Sequence, residues 1–318
     1  MDRNLALEVV RVTEAAALAS ARLMGRGDAA AADLASSDAM RRAFAAIPVD
    51  GVVVIGEGRS GEVEHLFVGE HVGAGAGGGE IDVALDALEG ATVCATGGAN
   101  ALSIILIAER GRILPCPETY MEKIAVGAEG RGVVSLDRSP TENLRALAEA
   151  KGVYVEDLTV VILDRPRHDR TIAEVRRAGA RVQLLADGDL AAAIATARPG
   201  SGIDILFGVG GAPQGVLAAG AIHALGGEFQ GRFKPRTEDE IGRLREAGIK
   251  DPGRTYRPAD LVGDNVMFAA TGVTGGHLLD GVRYFRGGAT TNSVVMRSRT
   301  HTVRWIEAYH HFDFKPEY

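Results

Sequence analysis

The stretch Ile81-Asp82-Val83-Ala84-Leu85-Asp86-Ala87-Leu88-Glu89-Gly90 carries acidic side chains to the end of an otherwise apolar strand. With period-2 alternation, Ile81, Val83 and Leu85 share one face, Asp82, Ala84 and Asp86 the other, and Glu89 follows in the turn. Asp86 and Glu89 together outline a site for Mg²⁺ or Mn²⁺, hard cations that take oxygen ligands and offset charge on phosphoryl oxygens. The same pattern also describes an acidic strand end facing solvent, which is common at protein surfaces.

Working outward, a second carboxylate arrives in the same way. Gly51-Val52-Val53-Val54-Ile55-Gly56 reads as a buried strand bounded by glycine, with Glu57 directly at its end and Gly58 after it. Asp33 opens an expected helix over Asp33–Ile47, where the orphan amides of a helix start favour a carboxylate whether or not it meets a metal. An amphipathic helix is expected before it, Asn4 to Met24, with Leu5, Val9, Val12, Ala16, Ala19 and Leu23 on its core face. The run Gly73-Ala74-Gly75-Ala76-Gly77-Gly78 matches a dinucleotide fingerprint literally. A strand follows it rather than a helix, so it reads as a flexible loop.

A domain boundary is expected near Ser139 to Gly152, dividing the chain into 1–150 and 151–318. Beyond it, three strands (Thr159–Leu163, Arg181–Leu185 and Ile203–Phe207) are each followed by a polar or glycine-rich loop and a helix, the rhythm of parallel β-α units. In such sheets ligands sit beyond the carboxyl ends of the strands. Arg165 and Arg167 lie there, and a guanidinium fork pairs with phosphate oxygens, although Asp164 and Asp169 could equally be their partners. Asp187 and Asp189 flank Gly188 at the next strand end and suit sugar hydroxyls, with Asp189 also suited to cap a helix. His168 reads as a hydrogen-bonding residue rather than a base. Glu228 to Asp260 reads as an inserted helix with connecting loops, silent about chemistry, and from Val266 short strands give the sheet an antiparallel finish.

In order, Gly25-Arg26-Gly27-Asp28, Ala32-Asp33, Val54-Ile55-Gly56-Glu57-Gly58, Asp86-Ala87-Leu88-Glu89-Gly90, Tyr120-Met121-Glu122-Lys123, Arg165-Pro166-Arg167-His168-Asp169, Asp187-Gly188-Asp189, Gly210-Gly211-Ala212-Pro213 and Asp264-Asn265-Val266-Met267-Phe268 resemble the class II fructose-1,6-bisphosphatase family, of the lithium-sensitive, metal-dependent sugar-phosphatase superfamily. The resemblance covers nearly the whole chain. It implies an α/β fold with a mixed α+β N-terminal part, in α-β-α-β-α layers around two sheets. Asp33, Glu57, Asp86 and Glu89 match the family's metal ligands, with Glu57, Asp86 and Glu89 at the catalytic centre. Tyr120, Arg165, Arg167, Asp187, Asp189 and Gly211 match its sugar-phosphate positions. A homo-oligomer, dimer or tetramer, is implied as well.

The departures matter as much. The resemblance aligns Gly61 with an essential Asp, Ala91 with a Thr that places the attacking water, and Gln214 with a Glu that ligates metal. Gln214 keeps a carbonyl oxygen and loses the charge. All three fall on one reaction centre, which implies a sugar bisphosphatase retuned to another substrate or weakened, a non-catalytic sugar-phosphate-binding homologue, or an enzyme of a dedicated pathway acting on another phosphorylated sugar.

Composition is consistent with a cytoplasmic enzyme. With 318 residues and 46% hydrophobic content the chain can bury one large or two ordinary cores, two domains being the better expectation. A net charge of −7 leaves no electrostatic footprint for nucleic acid or an anionic membrane. Cys94 and Cys116 have neither metal-site spacing nor the number for a disulfide framework, and no apolar run is long enough to span a bilayer.

Overall fold

The computed structural model describes residues 5–75 and 79–314. The chain divides into two compact units, one up to Ile113 and again from Asn265, the other from Leu114 to Asp264. The boundary expected at residue 150 therefore falls inside the second unit. The capped helix that suggested it packs into that unit's core through Leu144, Leu147 and Ala148. Its caps mark where a helix starts and stops, which is not where contacts cease.

The first unit begins with helices α1 (Leu5–Ala21) and α2 (Ala29–Phe44), followed by strands β1 (Asp50–Ile55), β2 (His71–Val72) and β3 (Glu80–Glu89), helix α3 (Ala91–Thr96) and strand β4 (Leu102–Glu109). Residues 76–78 of the glycine-rich run lie outside the described residues. The second unit contributes β5 (Tyr120–Val126), α4 (Pro140–Lys151), β6 (Thr159–Leu163), α5 (Asp169–Ala178), β7 (Arg181–Leu185), α6 (Asp189–Ala195), β8 (Ile205–Gly211), α7 (Ala212–Leu225), β9 (Glu228–Phe233), α8 (Glu238–Glu246) and α9 (Pro258–Leu261). The chain then completes the first unit with β10 (Val266–Gly272), β11 (Arg283–Phe285), β12 (Gly288–Arg297) and β13 (Thr302–His311).

The first unit's sheet runs β11-β12-β10-β4-β3-β1-β2, with β13 added on β12. Val9 and Val12 of α1 and Met40 and Phe44 of α2 pack with Ile81, Val83 and Leu85, the face that alternation assigns to the core. The antiparallel finish expected from Val266 holds, since β10, β11 and β13 all pair antiparallel with β12.

The second unit's sheet runs β7-β6-β8-β5-β9, parallel through β7, β6 and β8 and antiparallel at β5 and β9. Ile124 and Val126 of β5 pack with Leu144 of α4 and Val175 of α5. Met121 and Lys123, on the opposite face by alternation, meet Gly215 of α7, so helices cover both faces. Two expectations shift here. The strand expected to stop at Phe207 runs on to Gly211, because β5 supplies partners from Gly208 through Gly211. Glu228 opens a strand rather than a helix-and-loop insertion, its ladder partner being Val126.

Candidate functional site

The acidic end of β3 is shaped by its register. Asp86 pairs with Ile104 and Glu89 with Leu102, three steps on β3 against two on β4, so the strand carries a bulge between the two acids. Glu89 is thus the last residue of the strand rather than part of a turn. Ile104 and Leu102 are two apart and share a face, and directly opposed residues point the same way, so the extra residue brings Asp86 and Glu89 onto one side of the sheet. Regular alternation would have separated them.

Glu57, two residues past β1, stands beside this bulge. Its Oε1 accepts the Ala87 backbone N–H at 2.7 Å. Parallel pairing of Ile55 with Ala84 brings the two acidic strand ends level. Helix α2 reaches the same backbone through the Ser36 hydroxyl, which donates to the Ala87 carbonyl. Asp33 lies one turn earlier on α2 and does not cap it. The cap is Asp28, whose Oδ1 accepts the Ala31 N–H at 2.9 Å, so the helix starts four residues ahead of expectation. Burial pushes the Asp33 carboxyl above the usual carboxylate range. These acids supply the hard oxygen donors that Mg²⁺ and Mn²⁺ require, so the donor chemistry fits such an ion. Among the described residues, no group of three or more His, Cys, Asp or Glu side chains is gathered about a single point.

Of the acids nearby, Asp82 is structural. It is buried, accepts the backbone N–H groups of Arg112 (2.8 Å) and Ile113 (3.1 Å), and pairs with Arg110 at 3.7 Å. Gly61 sits in an exposed turn at φ +88°, a conformation that L side chains rarely adopt. Ala91 is the first residue of α3.

In the second unit Tyr120 opens β5 opposite Gly211, the last residue of β8. The Arg167 guanidinium stands 5.1 Å from the Tyr120 ring centroid and that of Arg236 4.2 Å. Arg167 donates from Nε to the Val209 carbonyl at 2.9 Å, and Arg165 donates to the Asp164 carbonyl, so both guanidiniums use backbone oxygen. Asp187 is exposed and folds onto the Gly188 N–H. Asp189 is the first residue of α6 and not its cap. Its Oδ2 lies 2.7 Å from Lys123 Nζ in a buried ion pair, with Lys123 only 2% exposed. Gln214, in the first turn of α7, folds back against Gly211: a Cβ on that glycine would stand 2.0 Å from Gln214 Oε1.

Two residues here escaped the sequence reading. Lys123 had a visible signal, since by alternation it shares an otherwise apolar face with Met121 and Ala125 and so points inward. Arg236 had none, because it lies in the segment read as chemically silent, and it is the antiparallel pairing of β9 with β5 that carries the chain back to Tyr120. Gly210 is required beside the ion pair, where a Cβ would stand 2.5 Å from Asp189 Oδ2 and 3.1 Å from Lys123 Nζ. Gly210→Ala is therefore expected to lower unfolding stability by about 1–3 kcal/mol, the usual cost of overpacking, read from urea midpoints. An unchanged midpoint would show that the pair has room to move.

Residues 3–310 match the family described as bacterial fructose-1,6-bisphosphatase, glpX-encoded. A D-fructose 1,6-bisphosphatase class 2/sedoheptulose 1,7-bisphosphatase of Synechococcus elongatus is 41% identical over 337 aligned residues, covering 98% of this chain and 98% of the relative. A protein of the same description from Trichodesmium erythraeum is 41% identical over 336, covering 98% and 97%.

Proposed function

The chain belongs to the glpX-encoded bacterial fructose-1,6-bisphosphatase family, and from that premise we propose that it hydrolyses a sugar bisphosphate, fructose 1,6-bisphosphate by default, to a sugar monophosphate and phosphate. What carries the reading is the match along nearly the whole chain to phosphoric monoester hydrolases. No described helix is long and apolar enough to cross a membrane. We assign the protein to the cytoplasm, as a homo-oligomer.

Asp33, Glu57, Asp86 and Glu89 would hold the divalent ion, Mg²⁺ or Mn²⁺. When bound, such an ion offsets charge on the phosphoryl oxygens and activates water. The phosphate is taken by Arg167, held at Val209 and against Tyr120, with Arg165 nearby in the chain. Asp187 and Asp189 receive sugar hydroxyls, Asp189 through the oxygen that Lys123 does not occupy. Gly211 closes β8 at the start of α7, where backbone amides favour an anion. The test is phosphate release from a panel of phosphorylated sugars with Mg²⁺ or Mn²⁺ added. No release from any of them would sink the hydrolase reading.

A second reading, a sugar-phosphate-binding homologue with little turnover or a retuned substrate, is favoured by Gly61, Ala91 and Gln214, which stand where the family resemblance puts reacting groups. Both readings require binding. Arg167→Ala is expected to weaken sugar-phosphate affinity by about 1.5–3 kcal/mol, the range for a hydrogen bond to a charged group. Equal affinities of variant and parent in calorimetry would remove Arg167 from the site.

A further inference from the structure

We infer that His168 is the positioning residue that holds Arg167 in its ligand-binding pose, by bridging the ends of β6 and β8 where their ladder has stopped. The inference rests on the reading above, that Arg167 takes a phosphate. The parallel ladder between these strands contains only Val160–Ile205 and Val161–Leu206. Beyond it β6 ends at Leu163 while β8 continues to Gly211, and the His168 imidazole spans the opening. Nδ1 lies 2.8 Å from the Leu163 carbonyl, and Nε2 accepts the Val209 N–H at 2.9 Å. The Val209 carbonyl in turn accepts Arg167 Nε. One residue of β8 is therefore held through its N–H by the histidine and holds the arginine through its C=O.

This arrangement specifies the ring's state. An N–H donor on one side and a carbonyl acceptor on the other require a neutral imidazole with its proton on Nδ1. A proton on Nε2 would face the Val209 N–H and break the bridge. His168 is 2% exposed. Its charged surroundings are Arg167 beside it, Asp189 at the start of α6 and, from β5 and the segment before α4, Glu122, Lys123 and Arg138, which line the same cleft of about 250 Å³. Burial, followed by the opposing Leu163 hydrogen bond and then by Arg167, sets the balance, and the imidazole is held below its ordinary value of 6.5. A depressed histidine contributes stability that is complete above the unfolded value and is lost as pH falls through the folded one. The bridge is intact at neutral pH and opens on acidification.

The experiment titrates fructose 1,6-bisphosphate calorimetrically into parent, His168→Asn, His168→Gln and Arg167→Ala proteins, with urea midpoints to establish folding. Asn retains a donor near Nδ1 and loses the acceptor for Val209, and Gln places a carbonyl oxygen where Nε2 was. His168→Asn is expected to weaken binding about tenfold, and His168→Gln to stay within about threefold of the parent, since one aligning bond is lost in the first and kept in the second. As pH is lowered from neutrality through the acid transition of the imidazole, the parent should lose affinity more steeply than His168→Gln. The ligand's own protonation is common to both, so the difference reports the imidazole. Weak binding by Arg167→Ala with undiminished binding by His168→Asn overturns the inference and leaves the phosphate role of Arg167 standing. Undiminished binding by Arg167→Ala overturns both. If His168→Asn fails to fold, the pH comparison decides, and parallel profiles for parent and His168→Gln overturn the inference.

Discussion

Titration of Asp86→Ala or Glu89→Ala with Mn²⁺ or Mg²⁺ is expected to show no binding at the principal site, with the parent protein binding under the same conditions. Each substitution deletes an anionic oxygen donor from a set on which a small, hard cation depends, and no softer ligand stands in the same strand to replace it. The bulge that sets both carboxylates on one face of β3 makes the two losses equivalent, because neither acid can reach the other face of the sheet in compensation. Asp86→Asn and Glu89→Gln keep the shape and remove the charge. They should lose most of the affinity while unfolding near the parent's midpoint, which separates ligation from packing at the buried Glu89. Unchanged ion binding in both alanine variants would make the acidic strand end structural, and the metal-dependent reading would fall with it.

The combined variant Gly61→Asp, Ala91→Thr and Gln214→Glu is expected to raise fructose 1,6-bisphosphate turnover by about 10³-fold over the parent, and by more than any single change. A positioned acid or base contributes about 10²–10⁴-fold, and groups that act as a unit are not additive. The backbone sets a cost on the first of these changes. Gly61 lies at φ +88° and an added Cβ would meet nothing within 4 Å, so the cost of an aspartate there is the backbone conformation, of order 1 kcal/mol, Asp being among the residues that tolerate it best. Gln214→Glu puts its charge in the first turn of α7, where the helix start favours an anion. Turnover is measured as phosphate release at saturating metal. Brisk hydrolysis by the unaltered protein would show that another group supplies the missing function. Glu62, the residue next to Gly61 in sequence, is then the first to replace, since Asp82, the other nearby acid, is committed to the Arg112 and Ile113 amides.

The expected strands β6 and β7 coincide with the observed ones because they are short apolar runs bounded by polar or glycine-rich turns, so the signal that starts and stops them is local. The same holds for the core face Ile81, Val83 and Leu85, and for the order of motifs that points to the family. His168 was legible as a hydrogen-bonding residue from its position opening a helix, although neither of its partners was.

Elsewhere the deciding partner is remote in sequence. The extension of β8 to Gly211 depends on β5, about ninety residues earlier, offering free ladder positions to a glycine-rich tail that by itself reads as a loop. The start of α2 differs for another reason: the run Ala29–Ala32 lies between Asp28 and Asp33, and the hydrogen bond that Asp28 accepts from the Ala31 N–H puts that run inside the helix. The domain boundary could not be read from helix caps, because a unit made of two distant segments of chain is defined by contacts and not by composition.

The sequence by itself determined the family, the chemistry of the donors and the strand ends on which they stand, since motif residues and period-2 patterns are properties of adjacent positions. The tertiary structure alone decided how those donors are aimed: the bulge that turns Asp86 and Glu89 to one side, the buried Lys123 that claims one oxygen of Asp189, and the return of Arg236 to Tyr120. Each depends on the register of a partner strand or on burial by a distant segment, and neither quantity exists until the chain has folded.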